Sequence, residues 1–350
     1  MKALQLSEYT QLCVVDLPMP VPAAGEVLVR VAACGICGSD VHGYDGSTGR
    51  RIPPIVMGHE AAGEVAAAGD GVTDFQPGDR VTFDSTVYCG TCEYCRRGEV
   101  NLCNHRQVVG VSCGDYRRAG AFAEYVTVPS HILYRLPPSF SYTDAAMLEA
   151  VAVAIHAVRM AEMRGAETAL VIGSGMIGLL VLQAAKAAGA ARVFVTDVDA
   201  TRLSLAQSLG ADAVIDSSRE PLAARLDALT QGRGVDVTFE AVGRAETVAA
   251  AVDATRKGGT VALVGNIAAE VPMPLQKVVT RQLRLQGCCA SAGEYPQAIA
   301  WMAEGKIRVK PLITAVAALE DGPHWFARLH AREPNLMKVV LDPRPKGGTA

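Results

Sequence analysis

Gly173-Ser174-Gly175-Met176-Ile177-Gly178 is the stretch whose reading decides the fold. It follows an apolar, partly β-branched run, Ala169-Leu170-Val171-Ile172, and opens a segment with helical periodicity from Met176 to Ala188. Strand, glycine turn and helix in that order let a backbone approach a pyrophosphate and present it to a helix N-terminus. Gly173 permits the tight turn, Gly175 keeps a Cβ out of the phosphate's path, and Gly178 lets helix pack on strand. A second strand, Arg192 to Thr196, ends in Asp197, 19 residues after Gly178, where a carboxylate accepts from the two ribose hydroxyls. A lone G-x-G-x-x-G is common among loops, but this context predicts a dinucleotide site at Gly173, Gly175, Ile177, Gly178 and Asp197.

Outward from that turn, strands are predicted near 169–172, 192–196, 213–216, 235–240, 260–264 and 283–287. Helices fall between them, among them Arg202 to Leu209 and Thr247 to Arg256. The alternation predicts an α/β fold with a doubly wound parallel sheet over residues 151–289. Residues 1 to about 140 read differently. Short alternating runs such as Val27-Leu28-Val29-Arg30-Val31 and Arg80-Val81-Thr82-Phe83 are separated by Gly, Pro and Asp, which predicts a barrel-like or sandwich-like β domain. A long helix is expected from Thr143, capped by Thr143 and Asp144, with Met147, Val151, Ala154 and Val158 on one apolar face. After residue 290 one helix (Tyr295 to Glu304) and one strand (Met337 to Leu341) remain. These are too little for a third domain, so 290–350 is expected to complete the domain of residues 1–150.

The totals narrow the function. With 350 residues, half of them apolar, and a net charge of −3, the chain has ample core and no basic field for nucleic acid or an acidic membrane. Glu8, Asp16 and Pro18 interrupt the N-terminal stretch before a signal-peptide core forms. A cytoplasmic location is expected. Of the ten cysteines, Cys89, Cys92, Cys95 and Cys103 fall within fifteen residues, on a loop with Gly90 and Gly98. That spacing matches a closed tetrahedral thiolate site for a structural zinc, with Arg96 and Arg97 offsetting part of its charge. Elsewhere Cys37, His59, Glu60 and, much later, Glu149 are the ligand types of an open zinc site; their types alone do not bring them together in space.

The motifs Cys34-Gly35-Ile36-Cys37-Gly38-Ser39-Asp40-Val41-His42, Gly58-His59-Glu60, the four-cysteine loop and the glycine turn resemble, in order and spacing, the zinc-dependent medium-chain dehydrogenases. Within them the chain is similar to the sorbitol (L-iditol 2-) dehydrogenase and polyol dehydrogenase branch, through Thr196 to Leu203, Phe239 to Gly243 and Val309 to Thr314. The resemblance implies a GroES-like catalytic domain beside a Rossmann coenzyme domain, NAD, and two zincs per chain. It implies Cys37, His59 and Glu60 as catalytic zinc ligands, with Glu149 on the metal or on its water. Ser39 then stands beside the alcohol and His42 at the outer end of a proton path. On the cofactor side it adds Arg202 at the adenosine and the strand ends Val264-Gly265-Asn266 and Cys288-Cys289-Ala290 along the nicotinamide half. The implied reaction passes hydride from a zinc-bound alkoxide to nicotinamide, oxidising a polyol's secondary hydroxyl to the ketose. A homotetramer is implied as well.

Two positions depart from the branch. Where polyol enzymes carry an aromatic pair and an Arg-Tyr pair that hold substrate hydroxyls, this chain has Gly43-Tyr44 and Ala290-Ser291. A small vicinal diol or secondary alcohol (butanediol-like) is therefore an alternative substrate, and L-threonine a weaker one. A zinc-free quinone or enone reductase would need none of Cys37, His59 and Glu60. A non-catalytic zinc or redox-sensing protein would leave the nucleotide fingerprint unexplained. Asp197 would repel a 2′-phosphate, which favours NAD over NADP.

Overall fold

The computed structural model describes residues 1–112, 117–165 and 167–344. The chain forms two compact units: Met1–Glu149 with Ser291–Ile299 and Val309–Ala350, and Ala150–Ala290 with Ala300–Arg308.

In the second unit the strand Thr168–Ile172, buried at every residue, lies inside a six-stranded sheet. Across the sheet the order is Ala213–Asp216, Arg192–Asp197, Thr168–Ile172, Val235–Glu240, Thr255–Leu263 and Arg284–Gly287. Every neighbouring pair is parallel. Strands covered on both faces are apolar along their length, which is why Ala169-Leu170-Val171-Ile172 lacks alternation. The order reverses beside Thr168–Ile172, and the glycine turn follows directly from that strand, at the switch point where such sheets bind ligands. Gly173 adopts φ +95°, and a Cβ on Gly178 would collide with the Gly173 carbonyl, so both glycines are required by the turn. The helix Ala200–Ser208 begins two residues earlier than expected because Asp199 caps it, accepting from the N–H groups of Thr201 (2.9 Å) and Arg202 (3.2 Å).

The first unit is built on a seven-stranded sheet. Its main path runs Leu133–Arg135, Arg80–Phe83, Glu60–Ala68, Glu26–Gly35, Lys338–Asp342 and Ile313–Ala318, and Tyr125–Pro129 also pairs with Glu26–Gly35. The strand Lys338–Asp342 enters beside Glu26–Gly35, with Val340 opposite Gly35. The single helix expected from Thr143 is two. Ser141, not Thr143 or Asp144, is the cap: its Oγ accepts from the Asp144 N–H at 3.0 Å, starting Tyr142–Ala145, and a second helix, Leu148–Met160, follows. No helix among the described residues is long and apolar enough to cross a membrane.

Asp84 is buried in this unit, where it accepts from the Thr86 N–H (2.8 Å) and the Ser291 hydroxyl (3.2 Å). Burial, with a smaller push from Glu294, raises its carboxyl to about 6 from an ordinary 3.8. A pKa raised on folding gives stability that is complete below the unfolded value and lost as pH climbs through the folded one. Asp84→Asn should therefore match the parent near pH 4 and exceed its stability by roughly 2–3 kcal/mol at pH 8. Urea unfolding at both pH values tests this, and a variant weaker at pH 8 contradicts it.

Candidate active site

The register of two strands assembles the site. Glu26–Gly35 and Glu60–Ala68 run antiparallel with Gly35 opposite Glu60. Cys37, two residues beyond one strand end, and His59, one residue before the other strand start, therefore arrive together. The ligand atoms of Cys37, His59 and Glu60 all lie within 4.8 Å of one another. Gly35 is forced by this approach, since a Cβ there would meet Glu60 Oε2. Cys37 caps the short helix Gly38–Tyr44, its sulfur accepting from the Ser39 N–H at 3.4 Å while Asp40 accepts from the Cys37 N–H at 3.2 Å.

Asp40 is fully buried and ties the site together. Its Oδ1 accepts from Arg51 Nη2 (2.9 Å) and Nε (3.2 Å) and lies 3.4 Å from His59 Nδ1, a ring nitrogen buried without a hydrogen bond. Burial alone would raise Asp40, but His59 and Arg51 outweigh it and hold the carboxyl well below the carboxylate range. Arg51 Nη2 also donates to Ser39 Oγ at 3.2 Å.

Glu60 is gripped on one side only. Lys338 Nζ lies 2.5 Å from Glu60 Oε2 and donates to the Ile36 carbonyl at 2.9 Å, all of it buried. Glu60 Oε1 is buried with no hydrogen-bond partner. An orphaned carboxylate oxygen beside a thiol and an imidazole fits a zinc ion, which takes one sulfur, one nitrogen and one oxygen and keeps a position open. Lys338 was not anticipated from the sequence.

Glu149 does not join the three-ligand cluster. Burial, with Glu60 and Asp84 adding and His59 opposing, pushes its carboxyl up to about 7. His42 occupies the last turn of the helix that starts at Cys37, partly exposed. Tyr44 donates to the Thr10 carbonyl at 2.5 Å and packs on Phe326, while Ser291 donates to Asp84, so both hydroxyls at the divergent positions have partners within the protein.

The second cluster is complete. The ligand atoms of Cys89, Cys92, Cys95 and Cys103 lie within 4.8 Å of one another, and all four cysteines are free. Backbone N–H groups of Thr91 (3.4 Å) and Cys92 (3.3 Å) point at Cys89 Sγ, and those of Cys89 and His105 point at Cys103 Sγ, each at 3.3 Å. Donors aimed at sulfur suit thiolates bound to a cation. Arg97, one of the two arginines expected to offset the thiolates' charge, pairs with Glu99 at 2.9 Å and stacks on Tyr94.

At the glycine turn, Asp197 accepts from Ser174 through both its N–H and its hydroxyl. Arg202 Nε lies 3.6 Å from Asp199. The Val264 and Gly265 N–H groups both donate to the Glu240 carbonyl, and Cys288 N–H donates to Leu263. These bonds hold Val264, Gly265 and Cys288 at the ends of adjacent strands, and Asn266, Cys289 and Ala290 follow them. Glu240 is buried and accepts from Val242 N–H (2.9 Å) and Gly243 N–H (2.8 Å), a brace for the neighbouring loop.

Residues 23–138 match the alcohol dehydrogenase GroES-like domain, and 177–304 the zinc-binding dehydrogenase family. Sorbitol dehydrogenase of Bacillus subtilis is 34% identical over 347 residues, covering 98% of this chain and 97% of that protein. The chain belongs to the zinc-dependent medium-chain dehydrogenases, in their polyol dehydrogenase branch. Among solved structures, 2R,3R-butanediol dehydrogenase of Bacillus subtilis is 30% identical with a TM-score of 0.88, covering 98% of this chain and 99% of that one. A zinc-binding dehydrogenase of Sinorhizobium meliloti bound to NADP is 32% identical, again with a TM-score of 0.88 and with 98% and 99% covered. The protein is thus an oxidoreductase using zinc and a nicotinamide dinucleotide.

Lys338→Met should expose the cost of an unpaired buried Glu60, lowering the stability of the zinc-free protein by about 3–5 kcal/mol. Added zinc should restore part of it by neutralising Glu60, and so raise the melting temperature more in the variant than in the parent. Equal zinc increments in the two proteins would contradict the pairing.

Proposed function

We propose that the protein oxidises a secondary hydroxyl of a polyol to the ketone with NAD as hydride acceptor, and runs the reverse reduction. The convergence of Cys37, His59 and Glu60, with Glu60 Oε1 buried and unpartnered, carries the reading. Bound zinc supplies the Lewis acidity that makes a hydroxyl proton easier to lose, and the dinucleotide supplies the hydride acceptor. Ser39 Oγ, at the exposed start of its helix, takes the substrate's proton on the lone pair that Arg51 leaves free and passes its own hydroxyl proton on in exchange. His42, three residues on along the same helix, carries the proton outward. Glu149, with a carboxyl near 7, holds a water at the metal or binds the metal itself. Cys89, Cys92, Cys95 and Cys103 hold a second zinc with no open position, a structural site. Asp197 disfavours a 2′-phosphate, which supports NAD although a similar structure binds NADP. By resemblance the enzyme is a cytoplasmic homotetramer.

A second substrate reading, a small vicinal diol, has its own support. Tyr44 and Ser291 bond within the protein, and the butanediol dehydrogenase is similar over nearly the whole chain. Fewer free hydroxyls at those positions favour a substrate with fewer groups to hold.

Metal analysis should give two zincs per chain, and a panel of polyols and diols should reduce NAD with a ketone as product. Cys37→Ala with His59→Ala should cost roughly a thousandfold or more in kcat/KM, as loss of several kcal/mol of transition-state stabilisation requires. Intact turnover in that variant, or a higher kcat/KM with NADP, would overturn the corresponding part of the proposal. The site with carboxylate ligands should also give up its metal to a chelator before the all-thiolate site does.

A further inference from the structure

The carboxylate of Asp197 has no acceptor position to spare. Its Oδ2 receives the Ser174 N–H at 2.6 Å and the Ser174 hydroxyl at 2.8 Å. Its Oδ1 receives the N–H groups of Val198 at 2.7 Å and Asp199 at 3.1 Å. An ionised carboxylate offers about four lone-pair sites, and four donors fill them. Three of these donors are backbone groups fixed by the glycine turn and by the loop that follows Arg192–Asp197. The fourth, the Ser174 hydroxyl, turns on a single bond. Ser174 is fully buried, so its hydroxyl bonds to Asp197 rather than to bulk water. A ribose whose hydroxyls donate to Asp197 must take the place of that hydroxyl.

We infer that Ser174 is a specificity-determining residue: its hydroxyl competes with the adenosine ribose for Asp197, weakening the hold on NAD and speeding its release. The inference rests on Asp197 as the ribose acceptor. NADP keeps the 3′-hydroxyl but carries on its 2′-oxygen a phosphate that Asp197 repels, so vacating the position favours NAD more than NADP. Ser174 thereby lowers the preference for NAD that Asp197 creates. Ser174→Ala removes the rotor and keeps the backbone N–H bond, and the side chain becomes smaller, so the turn is not crowded.

The test titrates NADH and NADPH by fluorescence into the zinc-loaded full-length enzyme, with NADH release followed by stopped flow. The proteins are the parent, Ser174→Ala, Asp197→Ala and the double variant. Ser174→Ala should bind NADH about fivefold more tightly, a typical weight for one competing hydrogen bond, and release it correspondingly more slowly. NADPH binding should tighten less than NADH binding, and the gain should vanish when Asp197 is also replaced. A merely structural role for Ser174 would instead weaken both nucleotides together. Unchanged or weaker NADH binding in Ser174→Ala, with Asp197→Ala impaired, overturns the inference and leaves the ribose role of Asp197 standing. Parent-like NADH binding in Asp197→Ala overturns both.

Discussion

The approach of the Gly35 backbone to the Glu60 side chain sets the rest of the candidate active site. Only a residue without a Cβ lets the two strands pair there with a carboxylate folded against them. From that pairing Cys37 and His59 follow within two residues on either side. The capped helix after Cys37 then brings Asp40 back beneath His59, and Arg51 reaches Asp40 and Ser39 together. A shift of one residue would turn Glu60 to the opposite face of the sheet and break up the set.

That dependence explains what was legible in the sequence. The glycine turn, the six parallel strands and the four-cysteine loop are local signals: apolar runs, punctuation and ligands a few residues apart. The cluster of Cys37, His59 and Glu60 was legible through its spacing within a known pattern, because 22 residues of mostly helix and loop do not by themselves place ligands together. Lys338 was not legible. It stands 278 residues from Glu60, at the start of an apolar strand where a lysine reads as a solvated end. Its signal, a cation directly before Val339-Val340-Leu341, gains meaning only once that strand is seen beside Glu26–Gly35. Arg51 was hidden likewise, the second of two arginines in a polar loop, and only burial tells it from exposed Arg50. The helix start moved from Thr143 to Ser141 because cap preference scarcely separates neighbouring hydroxyl residues, and geometry chooses between them.

Burying ions is expensive, and a lysine–glutamate pair of this kind is seldom worth its desolvation on stability alone. The pair makes sense as an orienting device. Lys338 occupies Oε2, the Ile36 carbonyl fixes the ammonium, and Oε1 is left aimed and unpartnered. A thiolate ligand needs no such partner, since its single sulfur cannot present the wrong atom. A carboxylate ligand does, because it can turn either oxygen, or both, to the metal.

The same arithmetic of charge argues for the metal more strongly than any single ligand. Among the described residues of the first unit, the buried side chains include the carboxylates Asp40, Glu60, Asp84 and Glu294 and the permanent cations Arg51 and Lys338, with His59 beside them. Glu149 adds a fifth acid within reach of Glu60 and Asp84. Burial pushes Asp84 and Glu149 toward the neutral form, with neighbouring acids adding to it, while Asp40 and Cys37 outweigh burial and hold His59 well above its usual value. Carboxylates in such surroundings favour an added positive charge. A divalent cation against the Cys37 sulfur, His59 and Glu60 Oε1 would supply that charge, displace a proton from the imidazole and lower Glu149 toward its ionised state. A metal there and the acid beside it would form one electrostatic unit, zinc binding setting the charge of Glu149.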